Sequence, residues 1–70
     1  MAVSILIVED DITFGVMLKT WLCKKGFAAD TASNIARARK SLESGHFNLV
    51  LSDLRLPDGD GIHLLKWMNE

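Results

Sequence analysis

Acidic side chains carry the most legible chemistry in this 70-residue sequence. Of nine Asp and Glu residues, three stand together at Glu9, Asp10 and Asp11, and three more at Asp53, Asp58 and Asp60. Each group follows a short apolar run. Carboxylates brought close together repel one another and raise each other's proton affinity unless a cation intervenes. A hard divalent ion relieves that repulsion, and Mg²⁺ favours one or two carboxylates together with waters and a phosphate oxygen. A carboxylate beside such an ion can attack a phosphoryl group to give an acyl phosphate. The ion then offsets charge on the phosphoryl oxygens and on the attacking group. Taken singly, each acid has a simpler use as a helix cap, Asp10 or Asp11 for the first helix and Asp58 or Asp60 for the last. Capping does not explain why Glu9, Asp10 and Asp53 should share one end of a sheet.

The elements that would bring them there can be read along the chain. Val3–Val8 is β-branched and almost continuously apolar, the pattern of a strand buried on both faces in a parallel sheet. Phe14, Met17, Leu18, Trp21 and Leu22 then recur at helical spacing, with Lys24 and Lys25 at the negative end and Gly26 as a stop. Phe27 to Thr31 is a short strand candidate. Ser33 or Asn34 starts a second helix whose inner face is Ile35, Ala38 and Leu42, and Gly45 ends it. Phe47 to Ser52 is the third strand, running into Asp53. A loop with Pro57, Gly59 and Gly61 leads to a last helix bearing Ile62, Leu65 and Met68 on one stripe. The order βαβαβα predicts an α/β fold with a parallel sheet. Right-handed crossovers give strand order 2-1-3. The switch point then lies between strands one and three, at their carboxyl ends, where open α/β sheets bind ligands. Glu9, Asp10 and Asp53 all fall there.

Composition narrows the function classes. A 49% hydrophobic, 24% charged chain of this length makes one small domain, with no linker or repeat to mark a boundary within residues 1–70. Domains of about 60 residues bury only about 60% of their unfolded surface. Eight basic against nine acidic residues leave a net charge of −1, without the basic footprint of direct nucleic-acid binding. The Val3–Val8 run is too short to span a membrane and lacks the features of a signal peptide. The single cysteine cannot form an internal disulfide, which suits a reducing compartment, and the expected location is cytoplasmic.

Two segments resemble the receiver domains of two-component response regulators. Ile5-Leu6-Ile7-Val8-Glu9-Asp10-Asp11 is similar to the family's first strand and acidic pair. Asp53-Leu54-Arg55-Leu56-Pro57-Asp58-Gly59-Asp60-Gly61 is similar to its phosphoacceptor strand end and the loop that follows. The resemblance runs from about residue 3 to residue 70. It implies a flavodoxin-like fold and a phosphoacceptor, Asp53, that takes a phosphoryl group from a phosphohistidine on a sensor histidine kinase. It assigns Mg²⁺ to Glu9, Asp10, Asp53 and the backbone carbonyl of Arg55. Pro57 and Gly61 would shape the loop, proline by fixing φ and glycine by its conformational freedom.

Family receivers have five β/α units, and residues 1–70 supply about three. The Ser or Thr of the fourth unit and the Lys of the fifth, which hold the phosphoryl group in the family, have no counterpart here. With those units absent, strand three becomes an edge and Leu49–Val50–Leu51 is left to pair with another chain, so self-association through strand three or exposed helix faces is expected. Two rival readings use the same residues. One is a receiver fragment that is not phosphorylated and acts only through protein contacts. The other is a metal-dependent phosphatase-like enzyme, which would want an acid where Arg55 stands. Asp58–Gly61 does not complete a calcium loop, because Ile62 and Asn69 occupy its fifth and twelfth positions. His46 and His63 lack a cysteine partner for zinc. Arg37, Arg39 and Lys40 read as a solvated helix face, and Trp21 and Trp67 as core or rim packing.

Overall fold

The computed structural model describes residues 3–52, 55, 56, 58–60, 66 and 68. Three parallel strands form its centre: β1 (Ser4–Val8), β2 (Ala28–Ala32) and β3 (Leu49–Ser52), in the order β2-β1-β3. Between them run α1 (Ile12–Lys24) and α2 (Ile35–Ser44). This is the α/β topology expected from the hydrophobic pattern. Two further two-residue strands, β4 (Arg55–Leu56) and β5 (Gly59–Asp60), pair antiparallel in a separate hairpin that the sequence pattern did not suggest.

β1 is the spine of the sheet because it has a partner on each side and a helix on each face. Ile5 to Val8 are all buried, and Leu6, Ile7 and Val8 are the largest fully buried side chains among the described residues. Alternation divides the run. Leu6 and Val8 join Ala32, Ile35 and Ala38 under α2, with Leu42, Phe47 and Val50 packed against them. Ile5 and Ile7 join Leu22 under α1, with Leu18 and Ala29 alongside. Full burial of one such aliphatic side chain contributes roughly 1.5–3 kcal/mol.

The α2 face was read correctly: Ile35 and Ala38 are buried and Leu42 packs against them. The α1 stripe was not. Of Phe14, Met17, Leu18, Trp21 and Leu22, only Leu22 is buried, whereas Met17 and Trp21 are 64% and 56% exposed. The inner line of α1 is instead Gly15, Leu18 and Leu22. A glycine carries no hydrophobic signal, yet Gly15 is buried on this line; a Cβ there would meet only ordinary contacts, Thr31 Cγ2 at 3.8 Å and Glu9 Cβ at 3.9 Å. Trp21 faces outward beneath the Lys25 ammonium, 5.4 Å from the ring centre. Cys23 is exposed.

The strand boundaries move by one or two residues. β2 begins at Ala28 rather than Phe27, and β3 at Leu49 rather than Phe47. Most of the last predicted helix, with Trp67, lies outside the described residues; Lys66 and Met68 are helical and exposed. α1 packs mainly on β2 and β1, and on the same face of β3 Leu49 and Leu51 are exposed. No helix among the described residues is long and apolar enough to cross a membrane.

Candidate functional site

The site is built at the carboxyl ends of β1 and β3. The two strands run in register, Ile5 beside Leu49 through Val8 beside Ser52, so they finish level with each other. The register is secured at the opposite end, where Asn48 donates its backbone N–H to the Ser4 carbonyl (2.7 Å) and its Oδ1 accepts from the Ser4 N–H (2.9 Å). One residue beyond β1, the Glu9 N–H still donates to the Ala32 carbonyl at 2.9 Å, which extends the β1–β2 ladder and fixes the Glu9 backbone. Glu9 is half-buried. Asp10 stands exposed in the bend that follows.

Asp11 is the N-cap of α1, its Oδ1 accepting the Phe14 N–H at 3.0 Å and its carbonyl the Gly15 N–H at 2.9 Å. The Asp11 N–H leans on Glu9 Oε2 at 3.5 Å. The three consecutive acids therefore have separate tasks. Asp11 is used by the helix, and Glu9 and Asp10 are left at the strand end. A crevice of about 310 Å³ opens beside them, lined by Ile7, Val8, Glu9, Phe14, Leu18, Leu51 and Ser52. Among these lining residues Glu9 and Ser52 are polar and the other five are apolar.

Of the residues singled out from sequence, Glu9 and Asp10 are thus brought to the mouth of the switch point. Asp53 follows Ser52 in the chain and lies outside the described residues, as do Pro57 and Gly61. Arg55 is described as the first residue of β4, paired with Asp60. Among the described residues no three acidic, histidine or cysteine side chains gather as a metal cluster.

Asp58 has a place that sequence reasoning missed. The simpler sequence reading offers Asp58 or Asp60 as a cap for the last helix; Asp58 caps α2, its Oδ1 accepting the Ile35 N–H at 2.7 Å and its Oδ2 the Ala36 N–H at 3.0 Å. These two donors, Ile35 first, hold its carboxyl below the ordinary carboxylate range, with a smaller pull from Arg39. No local signal announces a cap contributed from 23 residues away. The nearest hint is that α2 has no acidic residue of its own in its first turn.

Comparison with known proteins decides what this arrangement belongs to. The sequence profile of the response regulator receiver domain matches residues 5–70. The chain belongs to that family. It is 45% identical over 62 residues to the transcriptional regulatory protein BasR of Escherichia coli (strain K12), a match covering 89% of this chain and 28% of BasR. The non-phosphorylated HemR receiver domain of Leptospira biflexa superposes with a TM-score of 0.88 at 38% identity, over 94% of this chain and 53% of that one. The response regulator TrrA of Thermotoga maritima, solved in complex with Mg²⁺ and BeF, superposes with a TM-score of 0.89 at 31% identity, over 96% and 58%. The chain therefore spans about half the length of these solved receivers and under a third of BasR. The sheet order 2-1-3 is that of the flavodoxin-like receiver fold, and the chain is a receiver domain of the two-component response regulator class.

Proposed function

We propose that this receiver accepts a phosphoryl group from a sensor histidine kinase onto Asp53, with Mg²⁺ held at the acid pocket. The observation that carries the reading is the level ending of β1 and β3, with Glu9 and Asp10 at one strand end and Ser52 at the other. Sequence order supports it: Asp53 directly follows Ser52, the last residue of the strand that ends level with β1.

The donor set also suits the ion. Glu9 and Asp10 offer hard carboxylate oxygens, one half-buried and one solvated, which matches the preference of Mg²⁺ for few protein ligands and retained water. The Arg55 carbonyl would be a further oxygen ligand. When bound, the ion neutralises charge on the phosphoryl oxygens. In the transfer, an Asp53 carboxylate oxygen attacks phosphorus, the P–N bond to the kinase histidine breaks, and the imidazole leaves with the bonding pair. Glu9 and Asp10 hold the cation and take no part in bond making. The chain turns over no external substrate in this reading. Its setting would be the cytoplasm, which the exposed Cys23 thiol suits.

Incubation with Mg²⁺ and a small acyl phosphate, followed by intact mass, distinguishes the readings. A hydroxylamine-labile phosphoryl adduct absent from Asp53→Ala supports the phosphoacceptor. A folded, Mg²⁺-binding chain without adduct would mean a module that works only by contact. Catalytic release of phosphate would mean a phosphatase-like enzyme.

We also propose that this 70-residue chain pairs with a second copy through β3. Its supports are Leu49 and Leu51, 48% and 37% exposed, on a strand whose only partner among the described residues is β1. Sedimentation at micromolar concentration should then show dimers or larger species, and a compact monomer alone would rule the pairing out.

A further inference from the structure

We propose that Asp58 is a positioning residue for the cation site: it latches the hairpin following Asp53 onto the first turn of α2, and so couples the acid pocket to that helix. The inference rests on the functional reading above and deepens it.

The hairpin needs such a latch. β4 and β5 contribute two residues each, Arg55 opposite Asp60 and Leu56 opposite Gly59, and a two-stranded hairpin is marginally stable by itself in water. Pro57 and Asp58 are the two residues joining its strands, and Gly59 takes φ 149°, a backbone conformation that favours glycine. Asp58 is therefore carried at the hairpin tip. Its two carboxylate oxygens take the N–H groups of Ile35 and Ala36, while Asn34 Oδ1 takes that of Arg37 at 2.8 Å. Three successive amides at the start of α2 each have an acceptor, and the only negative charge among these acceptors comes from the hairpin. That charge meets the positive end of the helix, which has no acid in its own first turn.

The other side of the latch is firmly held. Ile35 is 6% exposed and packs with Leu6, Val8, Ala32 and Ala38 in the α2 core. Arg55, whose carbonyl would face the ion, is three residues from Asp58, a reach of about 11 Å at full extension. Holding Asp58 on α2 thus limits where that carbonyl can lie. The bonds it makes are to backbone N–H groups, so the requirement is for two acceptor oxygens rather than for charge alone.

The test is calorimetric titration with Mg²⁺ alone on the 70-residue chain, comparing the wild type with Asp58→Ala, Asp58→Asn and Asn34→Ala, each checked for folding by circular dichroism. Loss of a group that orients a metal ligand commonly weakens binding by about tenfold or more, and that loss is expected for Asp58→Ala. Asp58→Asn, retaining one acceptor oxygen, should fall between. Asn34→Ala removes a cap from the same turn of α2 without touching the hairpin, and should bind Mg²⁺ as the wild type does. Amide exchange at Ile35 and Ala36 should slow on adding Mg²⁺ to the wild type and not to Asp58→Ala. Should Asp58→Ala fail to fold, Asp58→Asn carries the comparison. Wild-type affinity in the Asp58 variants, or an equal loss in Asn34→Ala, overturns the latch alone. A wild type that binds no Mg²⁺ overturns the functional reading and the latch with it.

Discussion

Replacing Leu6 by alanine should remove much of the stability of this domain. Leu6 occupies the centre of β1, paired with Asp30 of β2 and Val50 of β3, and its side chain is wholly buried against the α2 cluster. Leu→Ala at such sites costs about 2.7–5 kcal/mol, the lost transfer free energy plus the residual cavity. Total stability for a domain of this length is about 3.5–10 kcal/mol at the usual 0.05–0.15 kcal/mol per residue. The substitution should therefore remove about a quarter of it or more. Leu49, 48% exposed, is the matched control. It has about half as much surface to return to water and little cavity to leave, so its truncation should cost about 1 kcal/mol. In urea, with a slope near 1 kcal/mol/M for the smallest domains, the Leu6→Ala midpoint should fall by about 3 M or more and the Leu49→Ala midpoint by about 1 M. Mg²⁺ titration of Leu6→Ala should show fewer binding-competent molecules, in proportion to the folded fraction. Midpoints of the two variants within about 0.5 M of each other would refute the claim that β1 is the mechanical centre on which the acid pocket is mounted.

Gly15→Ala should stabilise the chain by up to about 1 kcal/mol, because the added Cβ meets only ordinary contacts of 3.8 and 3.9 Å and alanine favours helix; a lower thermal midpoint would contradict that geometry. Asp58 is held below its ordinary value of 3.8 by the Ile35 and Ala36 amides, so its contribution is present above that value and is lost as pH falls through its lower folded value. In that window the unfolded chain binds the extra proton, stability declines with falling pH, and urea midpoints of Asp58→Asn followed downward from about pH 5 should decline less steeply than wild type. Saturating Mg²⁺ at about 100 times its dissociation constant should raise stability by about 2.7 kcal/mol. Asp10→Asn should reduce that gain while being no less stable than wild type in EDTA, since Asp10 is exposed and removing its charge eases repulsion with Glu9.

The fold was legible where burial is simple. Ile5–Val8 is covered on both faces and reads as an unbroken apolar run, and the Ile35, Ala38, Leu42 line follows one helix face onto the sheet. α1 misled because its apolar residues outnumber the sheet surface beneath it. Among the described residues Gly15, Leu18 and Leu22 make the inner line of α1, while Phe14, Met17 and Trp21 remain exposed. β2, with sequence Ala-Ala-Asp-Thr-Ala, has little strand propensity of its own and is a strand through its register with β1. At the site, Glu9 and Asp10 were legible because their position after a buried strand places them at its end. The partner of Asp58 was not, since a cap contributed across 23 residues follows from tertiary docking and has no local pattern.

In the proposed reaction Asp53 is the phosphoryl acceptor. An acyl phosphate is reduced by borohydride to an alcohol, which converts a phosphorylated aspartate into homoserine and marks the modified position permanently. The wild-type chain, treated with Mg²⁺ and a small acyl phosphate, then reduced and digested, should carry homoserine at position 53 in a Mg²⁺-dependent amount, and Glu9→Gln or Asp10→Asn should lower that amount. Homoserine in place of another aspartate, or an amount at position 53 indifferent to Mg²⁺, would show that Asp53 is not a Mg²⁺-dependent phosphoacceptor.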